Sequence, residues 1–466
     1  MTRTEDRLEP AVRRTVAVIL LGGIMGILDG SMVVVAADTL AGHFGSSLAV
    51  IGWASTGYLL ALTIAVPVTA WAVDRVGGRR LWLFGLVLFL AGSVASGLAW
   101  DVGPLIVFRV VQGAGAGILD PLMLTLLVRT AGPGRSGRVV GLMGAVGSAG
   151  PVVGPIVGGL IVQSLDWRWM FFVNVPIVIV AFVLARRVLP VDRPAPGTAR
   201  TRLDVVGVAL IGPGVAASVL ALSQAAEHGG FTTPYVVAPL AVGLVLVGLY
   251  VSHALRRTEP LIDPRMFAHR GFPPGVLVLA FNGVTTYGAL FALPLFYQQA
   301  SGDGPFAAGL LLAPLGIGAV ISMPLAGRLS DRLGSRNLAV AGSALTLLSA
   351  LAFTFADSGD RVLPAVASLA IGLGLGCASA PTMSVVFKIL PPERVAQGSS
   401  LLYMLNQLGA SLGITVAALL IQSAADPATG FRHTSWALVV AATAMLAATT
   451  RVPGRTPAPV LEGASL

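Results

Sequence analysis

The stretch GSAGPVVGPIVGGLI, residues 147–161, contains five glycines and two prolines but no charged residue. In a soluble protein such a run would form a loop, because glycine and proline both destabilise a helix. Apolar residues continue on both sides of it, however, so it belongs to a segment long enough to cross a bilayer. Gly150, Gly154 and Gly158 recur every fourth residue, which places them on one helix face where a second backbone can approach closely.

The composition requires a membrane. The chain has 466 residues, of which 55% are hydrophobic and only 11% are charged, whereas a soluble domain carries roughly 25% charged residues. A single cysteine, Cys377, excludes an intrachain disulfide and a thiolate metal cluster, and the five histidines are scattered. We therefore expect a multi-pass membrane protein without a metal or another cofactor.

Hydrophobic segments of about 20 residues, the length that spans a bilayer core, occur fourteen times. We call them spans 1 to 14. They lie near 15–37, 48–72, 81–100, 104–128, 139–163, 169–187, 204–224, 235–254, 273–299, 306–328, 337–356, 362–387, 397–423 and 433–450.

The distribution of charge supports this count. If the N-terminus is cytoplasmic, all but four of the 30 Lys and Arg residues fall in cytoplasmic segments. The exceptions are Arg168, Arg361 and Arg432 in outer loops and Arg109 inside span 4. We therefore predict fourteen spans with both termini in the cytoplasm. The net charge of +9 then reflects cytoplasmic loops rather than binding of nucleic acid.

Two similar strings indicate an internal repeat. AWAVDRVGGRR (70–80) follows span 2, and AGRLSDRLGSR (326–336) follows span 10. Matching strings at matching cytoplasmic positions predict two homologous six-helix halves with two helices inserted between them, the paired-repeat plan of many transporters. The predicted domains are an N-terminal bundle (1–187), a linker with the inserted helices (188–272) and a C-terminal bundle (273–466).

The chain resembles the major facilitator superfamily, and in particular its fourteen-helix drug:proton antiporter branch. DRVGGRR resembles the family's loop 2–3 motif, RVVQGAGAG (109–117) its helix 4 motif, and GPVVGPIVGG (150–159) its helix 5 antiporter motif. LDGSMVVVA (28–36) and DWRWMFFVNVPI (166–177) resemble the helix 1 motif and the helix 5–6 junction of the branch. The resemblance covers almost the whole chain and implies a proton-driven exporter.

Charged side chains inside predicted spans are costly, so each is a candidate functional group. The resemblance assigns Asp29 to recognition of cationic drugs and to proton coupling, and Arg109 to proton coupling. Asp120 is an additional acid that the family motif does not require. A structural role remains open for all three residues, and Asp120 could cap the helix near Pro121. Asp38 lies near the outer end of span 1, where we expect a wetted vestibule.

Further polar and aromatic side chains are candidates for binding a lipophilic substrate at the bilayer midplane. Hydrogen bonding between helices is the alternative role for each of them. They are Tyr58, Gln112, Asn282, Tyr287, Tyr297, Gln298, Tyr403, Asn406 and Gln407.

The two repeated loops predict conformational latches between helix ends, formed by Asp74 with Arg75 and Arg79 and by Asp331 with Arg332 and Arg336. The alternative is that these cations only fix the topology of the chain. Two departures from the family motif, Ala70 and Gly78, could loosen the first latch.

The antiporter motif comprises Gly150, Pro151, Gly154, Pro155, Gly158 and Gly159. Prolines bend a helix and remove amide donors, so the motif predicts a bent, smooth face against which one bundle could rock. A plain packing interface is the alternative.

We predict a proton-coupled antiporter that exports lipophilic, cationic drugs or antibiotics by alternating access, as a monomer in the plasma membrane of a bacterium. One alternative is an exporter of the same fold for an endogenous metabolite, a lipid or a self-made antibiotic. A polytopic membrane enzyme is a more distant alternative, because the loops lack a catalytic cluster. No phosphate-binding GxxxxGK[ST] motif occurs, which argues against a pump driven by ATP.

Overall fold

A computed structural model describes residues 9–46, 48–132, 136–191, 204–228, 230–300, 305–356, 360–391 and 394–454. Within these ranges the regular structure is helical and contains no strand. The α-helices are α1 (Pro10–Val35), α2 (Ala37–Phe44), α3 (Leu48–Val76), α4 (Gly78–Gly97), α5 (Val102–Ala131), α6 (Ser136–Ser164), α7 (Trp169–Phe172), α8 (Asn174–Val188), α9 (Val205–His228), α10 (Pro234–Arg256), α11 (Phe272–Leu295), α12 (Pro305–Leu333), α13 (Ser335–Phe353), α14 (Val362–Ile389), α15 (Val395–Gln422) and α16 (Pro427–Thr449). A 3₁₀ turn (Pro264–Ala268) precedes α11, and a π-helical turn (Phe296–Ala300) follows it.

Twelve helices in the described part of the chain are long and apolar enough to cross a membrane. These helices confirm an integral membrane protein of the all-helical class. The two remaining long helices, α6 and α16, occupy the positions of predicted spans 5 and 14 but are not among the twelve. Fourteen spans, and the side of the membrane on which the termini lie, therefore stay predictions.

Small residues allow the helices of the N-terminal half to pack tightly. A Cβ atom at Gly113 or Gly117 of α5 would collide with the backbone of α3, and one at Gly115 would lie 2.6 Å from a backbone nitrogen of α4. The glycines of RVVQGAGAG thus hold α5 between two neighbouring helices. Their close packing fixes the position of Arg109, which lies one turn before Gly113 on the same helix.

The helices α9 and α10, which the sequence predicts as an inserted pair, pack through α9 on both halves. The Thr415 hydroxyl of α15 donates a hydrogen bond to the Leu222 carbonyl of α9, 2.7 Å away. On the other side, Gly212 approaches the backbone of α3 at Ile64. The helix α10 contacts mainly α9 and exposes large apolar side chains, including Tyr235 at 68% exposure. A surface of this kind suits contact with lipid.

The segment between α10 and α11 is tied to α10 and to the start of α15. The Tyr250 hydroxyl donates to the Ile262 carbonyl at 2.6 Å and accepts from the Ile262 amide at 2.7 Å. The carboxylate of Asp263 pairs with Arg394 at 3.1 Å, and its backbone amide donates to the Gln397 side chain at the start of α15. The inserted pair is therefore linked to the C-terminal half.

The two halves meet where α3 and α5 pack against α15, and where α6 packs against α12. Three polar contacts connect the C-terminal parts of α3 and α5 with the first third of α15. Thr125 lies 2.9 Å from Ser399, oxygen to oxygen, and the Ser400 hydroxyl donates to the Val66 carbonyl at 3.2 Å. The third contact joins Tyr403 to Asp120. We call these three contacts the α15 ladder.

Candidate functional site

Asp29 and Arg109 form a buried ion pair between α1 and α5. Their side chains are 1% and 0% exposed, respectively. Arg109 also donates to the Gln112 side-chain oxygen at 2.8 Å and to the Ala54 carbonyl at 3.3 Å. The charge of each residue is thus neutralised by its partner inside the bundle, which offsets part of the cost of burying either ion.

Two amides complete the coordination of the Asp29 carboxylate. Its Oδ1 atom accepts hydrogen bonds from Gln112 at 3.0 Å and from Asn174 at 2.8 Å, while Oδ2 pairs with Arg109. Asn174 is held by the Ser93 hydroxyl at 3.0 Å, and that hydroxyl donates to a backbone carbonyl. The carboxylate is therefore bound by donors from α5 and α8.

Asn174 and Ser93 are members of this network that the sequence analysis did not select. Asn174 stands in DWRWMFFVNVPI, the stretch that resembles the helix 5–6 junction of the family. An amide in an otherwise apolar stretch is the signal that could have identified it, because such a group needs a buried partner. Ser93 offers no comparable signal, since serine is common in tightly packed membrane helices.

Tyr58 connects the ion pair to α1. Its ring lies below the Arg109 guanidinium, 4.2 Å from ring centroid to Cζ, a distance typical of cation–π contact. Its hydroxyl donates to the Gly26 carbonyl at 2.9 Å. Tyr58 is 1% exposed, so its contact with Arg109 is shielded from solvent.

Asp120 lies at the interface between the halves and is 4% exposed. Its Oδ2 atom accepts a hydrogen bond of 2.6 Å from the Tyr403 hydroxyl of the C-terminal half. Its Oδ1 atom has no hydrogen-bond partner among the described residues. A Cβ atom added at Gly26 would lie 3.4 Å from Asp120 Oδ1 and 3.6 Å from the Tyr58 hydroxyl, so both groups border the same space. The structure thus brings together Asp120, Tyr403 and Tyr58, three predicted site residues from both halves.

The other predicted polar residues of the C-terminal half are more dispersed. Asn406 donates to the Leu279 carbonyl at 3.0 Å and so joins α15 to α11. Asn282 is partly buried, and its side-chain oxygen has no partner in the described ranges. Tyr297 is fully buried beside Phe296, whereas Gln298 is exposed. Of this group, Tyr403 is the residue with a described hydrogen bond to Asp120.

The first predicted latch has partners on two other helices. Asp74 pairs with Arg129 of α5 at 2.9 Å, with both side chains about half-exposed. Arg79 donates to the Arg186 carbonyl at the end of α8, 2.5 Å away. Arg75 is exposed in the last turn of α3. Of the second latch, Arg336 is exposed near the start of α13.

Several predicted side chains lie outside the described residues: those of Asp38, Pro151, Pro155, Asp331 and Arg332.

The glycines of the antiporter motif approach α1. A Cβ atom at Gly150 would meet the side chain of Ile27, and one at Gly158 would lie 3.1 Å from the Met32 carbonyl. Gly154 is buried and Gly159 is partly buried in the same helix. These approaches are within the N-terminal half and flank Asp29. The other half is approached by Gly141, whose added Cβ would lie 2.5 Å from the Met323 carbonyl of α12.

In the described ranges, no group of three or more His, Cys, Asp or Glu side chains is placed to hold a metal ion. Inside the described spanning helices, the buried charged side chains belong to two clusters. One is centred on Asp29 in the N-terminal half, and the other is centred on Asp120 between the halves. The arrangement suits binding of protons and of charged ligands.

Comparison with known proteins agrees with this architecture. Residues 19–414 match the family described as Major Facilitator Superfamily. Two solved structures share the fold. The human organic anion transporter MFSD10 (TETRAN) aligns with a TM-score of 0.63 and 16% identity, covering 94% of this chain and all of the other. The proton:xylose symporter XylE aligns with a TM-score of 0.64 and 15% identity, covering 93% and 94% of the two chains.

Relatives with higher identity carry names that refer to drug resistance. The "Multidrug resistance protein B homolog" of Mycobacterium tuberculosis is 37% identical, covering 89% of this chain and 77% of its own length. "Multidrug export protein EmrB" of Escherichia coli is 31% identical, with 85% and 77% coverage. "Lincomycin resistance protein LmrB" of Listeria innocua is 27% identical, with 89% and 87% coverage.

Proposed function

The chain belongs to the major facilitator superfamily, and we propose that it is a proton-coupled antiporter that exports lipophilic, cationic drugs by alternating access. We place it in the plasma membrane of a bacterium, with fourteen spans and both termini in the cytoplasm. The names of its relatives, which refer to multidrug resistance and multidrug export, support the substrate class.

The observation that carries the proposal is the pair of buried carboxylates, Asp29 and Asp120. A carboxylate in the bilayer interior is costly unless it is neutralised by a proton or a cation. An ion-binding group that can take either partner provides the elementary exchange step of an antiporter. Asp120 in addition lies where the two halves meet. A proton or a cation bound to Asp120 would therefore affect a contact between the halves.

The α15 ladder supports alternating access between two rigid halves. Its contacts join the C-terminal parts of α3 and α5 to the N-terminal part of α15. With cytoplasmic termini, these ends face the cytoplasm, so the ladder closes the cytoplasmic side. Separation of the halves there, with closure at the opposite side, would move the midplane site from one face of the membrane to the other.

Ethidium efflux tests the proposal in cells that lack their own exporters. We expect expression of the protein to lower the steady-state fluorescence of ethidium, and the ionophore nigericin to abolish this effect by dissipating the pH gradient. The substitution Asp166→Asn, which removes an exposed carboxylate outside the spans, serves as a control with unchanged efflux. Equal ethidium accumulation with and without the protein would refute export of this cation. Neutral and anionic metabolites would be the next substrates to examine.

A further inference from the structure

Three charged side chains are buried inside the spanning helices of the described chain: Asp29, Arg109 and Asp120. The first two neutralise each other in an ion pair. Among the described side chains, Asp120 is bonded only to the neutral Tyr403. The buried site as a whole therefore carries one uncompensated negative charge whenever Asp120 is ionised.

The two carboxylates also differ in how many of their acceptor positions are occupied. Both oxygens of Asp29 are bonded, by Arg109, Gln112 and Asn174. A substrate cation could reach this group only by displacing a buried arginine, which would lose its partner in a medium of low dielectric constant. Asp29 is thus poorly suited to exchange.

In Asp120, by contrast, one carboxylate oxygen is unoccupied by the described residues. Its Oδ1 atom is buried and has no hydrogen-bond partner among the described residues. The approach to that oxygen is bordered by Gly26, where an added Cβ would lie 3.4 Å from Oδ1 and 3.6 Å from the Tyr58 hydroxyl. Tyr403 of α15 is hydrogen-bonded to the other oxygen of the carboxylate, and Tyr58 of α3 borders the same space beside Gly26. Aromatic rings with polar ends are suited to hold a lipophilic cation.

We infer that Asp120, and not Asp29, is the carboxylate that exchanges a proton for the positive charge of the substrate, with Tyr403 as its partner in the opposite half. This inference rests on the proposed function and specifies its exchange site. The Asp29–Arg109 pair then acts as a permanently neutral support. Because Tyr403 belongs to the α15 ladder, a ligand that competes for the Asp120 carboxylate also weakens a contact between the halves.

Labelling with dicyclohexylcarbodiimide identifies the exchange site directly in the wild-type protein. The carboxylic acid adds across a C=N bond of the reagent, its oxygen bonding to carbon and its proton passing to nitrogen, so that protonated carboxyl groups in apolar surroundings react. We expect mass spectrometry of protein in lipid nanodiscs to locate the adduct on Asp120, and ethidium to slow its formation severalfold. An adduct on Asp29 without one on Asp120, or labelling of Asp120 that ethidium leaves unchanged, would overturn the inference.

Proton release on ethidium binding, measured in weakly buffered solution with a pH indicator, gives an independent test. Wild type should release about one proton per ethidium bound. Asp120→Asn should release none and bind ethidium at least about tenfold more weakly, the loss expected for one charge pair. Proton release by Asp120→Asn equal to that of the wild type would contradict the assignment.

Three further variants sharpen this comparison. The double variant Asp29→Asn/Arg109→Gln removes the other carboxylate without leaving a buried charge, and should still release a proton. Gly26→Ala adds only a methyl group at ordinary contact distance. It should weaken ethidium binding, but the ethidium that binds should still release a proton. Tyr403→Phe should keep the proton release but alter the affinity. Loss of proton release in the double variant with retention in Asp120→Asn would assign exchange to Asp29.

These readouts separate the inference from the proposed function. If Asp120 is labelled and protected by ethidium while the protein moves no ethidium across a membrane, the exchange site stands and the assignment as an exporter fails. If ethidium is exported and only Asp29 is labelled, the exporter stands and the inference fails.

Discussion

The guanidinium of Arg109 and the carboxylate of Asp29 form an ion pair with almost no exposed surface, and two amides occupy what remains of the carboxylate. Arg109 approaches from α5 and Asn174 from α8, so the pair ties three helices of the N-terminal half together. Sequence similarity places both charged residues in family motifs, but only the three-dimensional arrangement shows that they pair with each other.

Disruption of this pair should have asymmetric effects. Arginine cannot lose its proton in a protein, whereas an aspartate can take one up. Asp29→Asn should therefore destabilise the protein by about 3–5 kcal/mol, the cost of a buried unpaired charge, and Arg109→Gln should cost less. Thermal unfolding in detergent measures both costs; equal costs for the two variants would contradict the assignment.

Close packing of α5 predicts a contrast between two glycines of the same helix. Gly113→Ala places a methyl group against the backbone of α3 at Tyr58 and should destabilise the protein by about 1–3 kcal/mol. Gly103→Ala meets nothing within 4 Å and should be neutral, or stabilise the helix by up to about 1 kcal/mol. Unfolding temperatures of the two variants provide the comparison. Equal losses would mean that the glycines act through backbone flexibility and not through space.

The Asp74–Arg129 pair tests the latch hypothesis, because an exposed pair adds only about 0–1 kcal/mol of stability. If the pair holds one conformation, Asp74→Asn should leave the unfolding temperature nearly unchanged but alter the transport rate. Exchange of the two charges, Asp74→Arg with Arg129→Asp, should restore part of that rate. Transport at the wild-type rate in Asp74→Asn would reduce the pair to a surface contact.

Asp204 predicts a pH-dependent contribution to stability at the start of α9. Burial raises the pKa of Asp204, but hydrogen bonds from His253 and the Gly207 amide outweigh it and hold the pKa below the ordinary value. A carboxyl group with a lowered pKa stabilises the fold above its unfolded pKa of about 3.9, and the contribution is lost as the pH falls through the folded value. Asp204→Asn should cost about 1 kcal/mol near pH 7, and the difference from the wild type should shrink below about pH 4.

This difference in unfolding temperature can be followed by differential scanning fluorimetry. A cost that grows as the pH falls would contradict the sign of the shift. Because His253 shares the contact, His253→Gln should show a related loss near pH 7 through the same Asp204 oxygen.

The sequence predicted the helical elements and the buried charged residues better than the contacts that these residues make. Apolar length located all twelve helices that qualify as spans, because the bilayer imposes one length on every crossing. The cost of a buried charge singled out Asp29, Arg109 and Asp120. The residues that these charged side chains contact could not be predicted from the cost of burial. Asp120 and Tyr403 are 283 residues apart, and no local pattern encodes which helices meet.

Two further residues illustrate the same limit. The sequence predicts a latch between helix ends that combines Asp74 with Arg75 and Arg79, and the described ion pair of Asp74 is with Arg129 at the end of α5. Asn174 belongs to a motif that suggested a helix junction, and its amide is committed to the Asp29 carboxylate. In both cases the residue type was conspicuous, but its contact depends on how α3, α5 and α8 pack together.

Proton flux in proteoliposomes tests the central claim, exchange of a proton for a lipophilic cation, most directly. A pH gradient is imposed across vesicles that contain the purified protein and a trapped pH-sensitive dye, and ethidium is then added. Wild-type protein should discharge the gradient on addition of ethidium, and Asp120→Asn should not. A gradient that persists with the wild type, for ethidium and for tetraphenylphosphonium alike, would contradict cation:proton antiport.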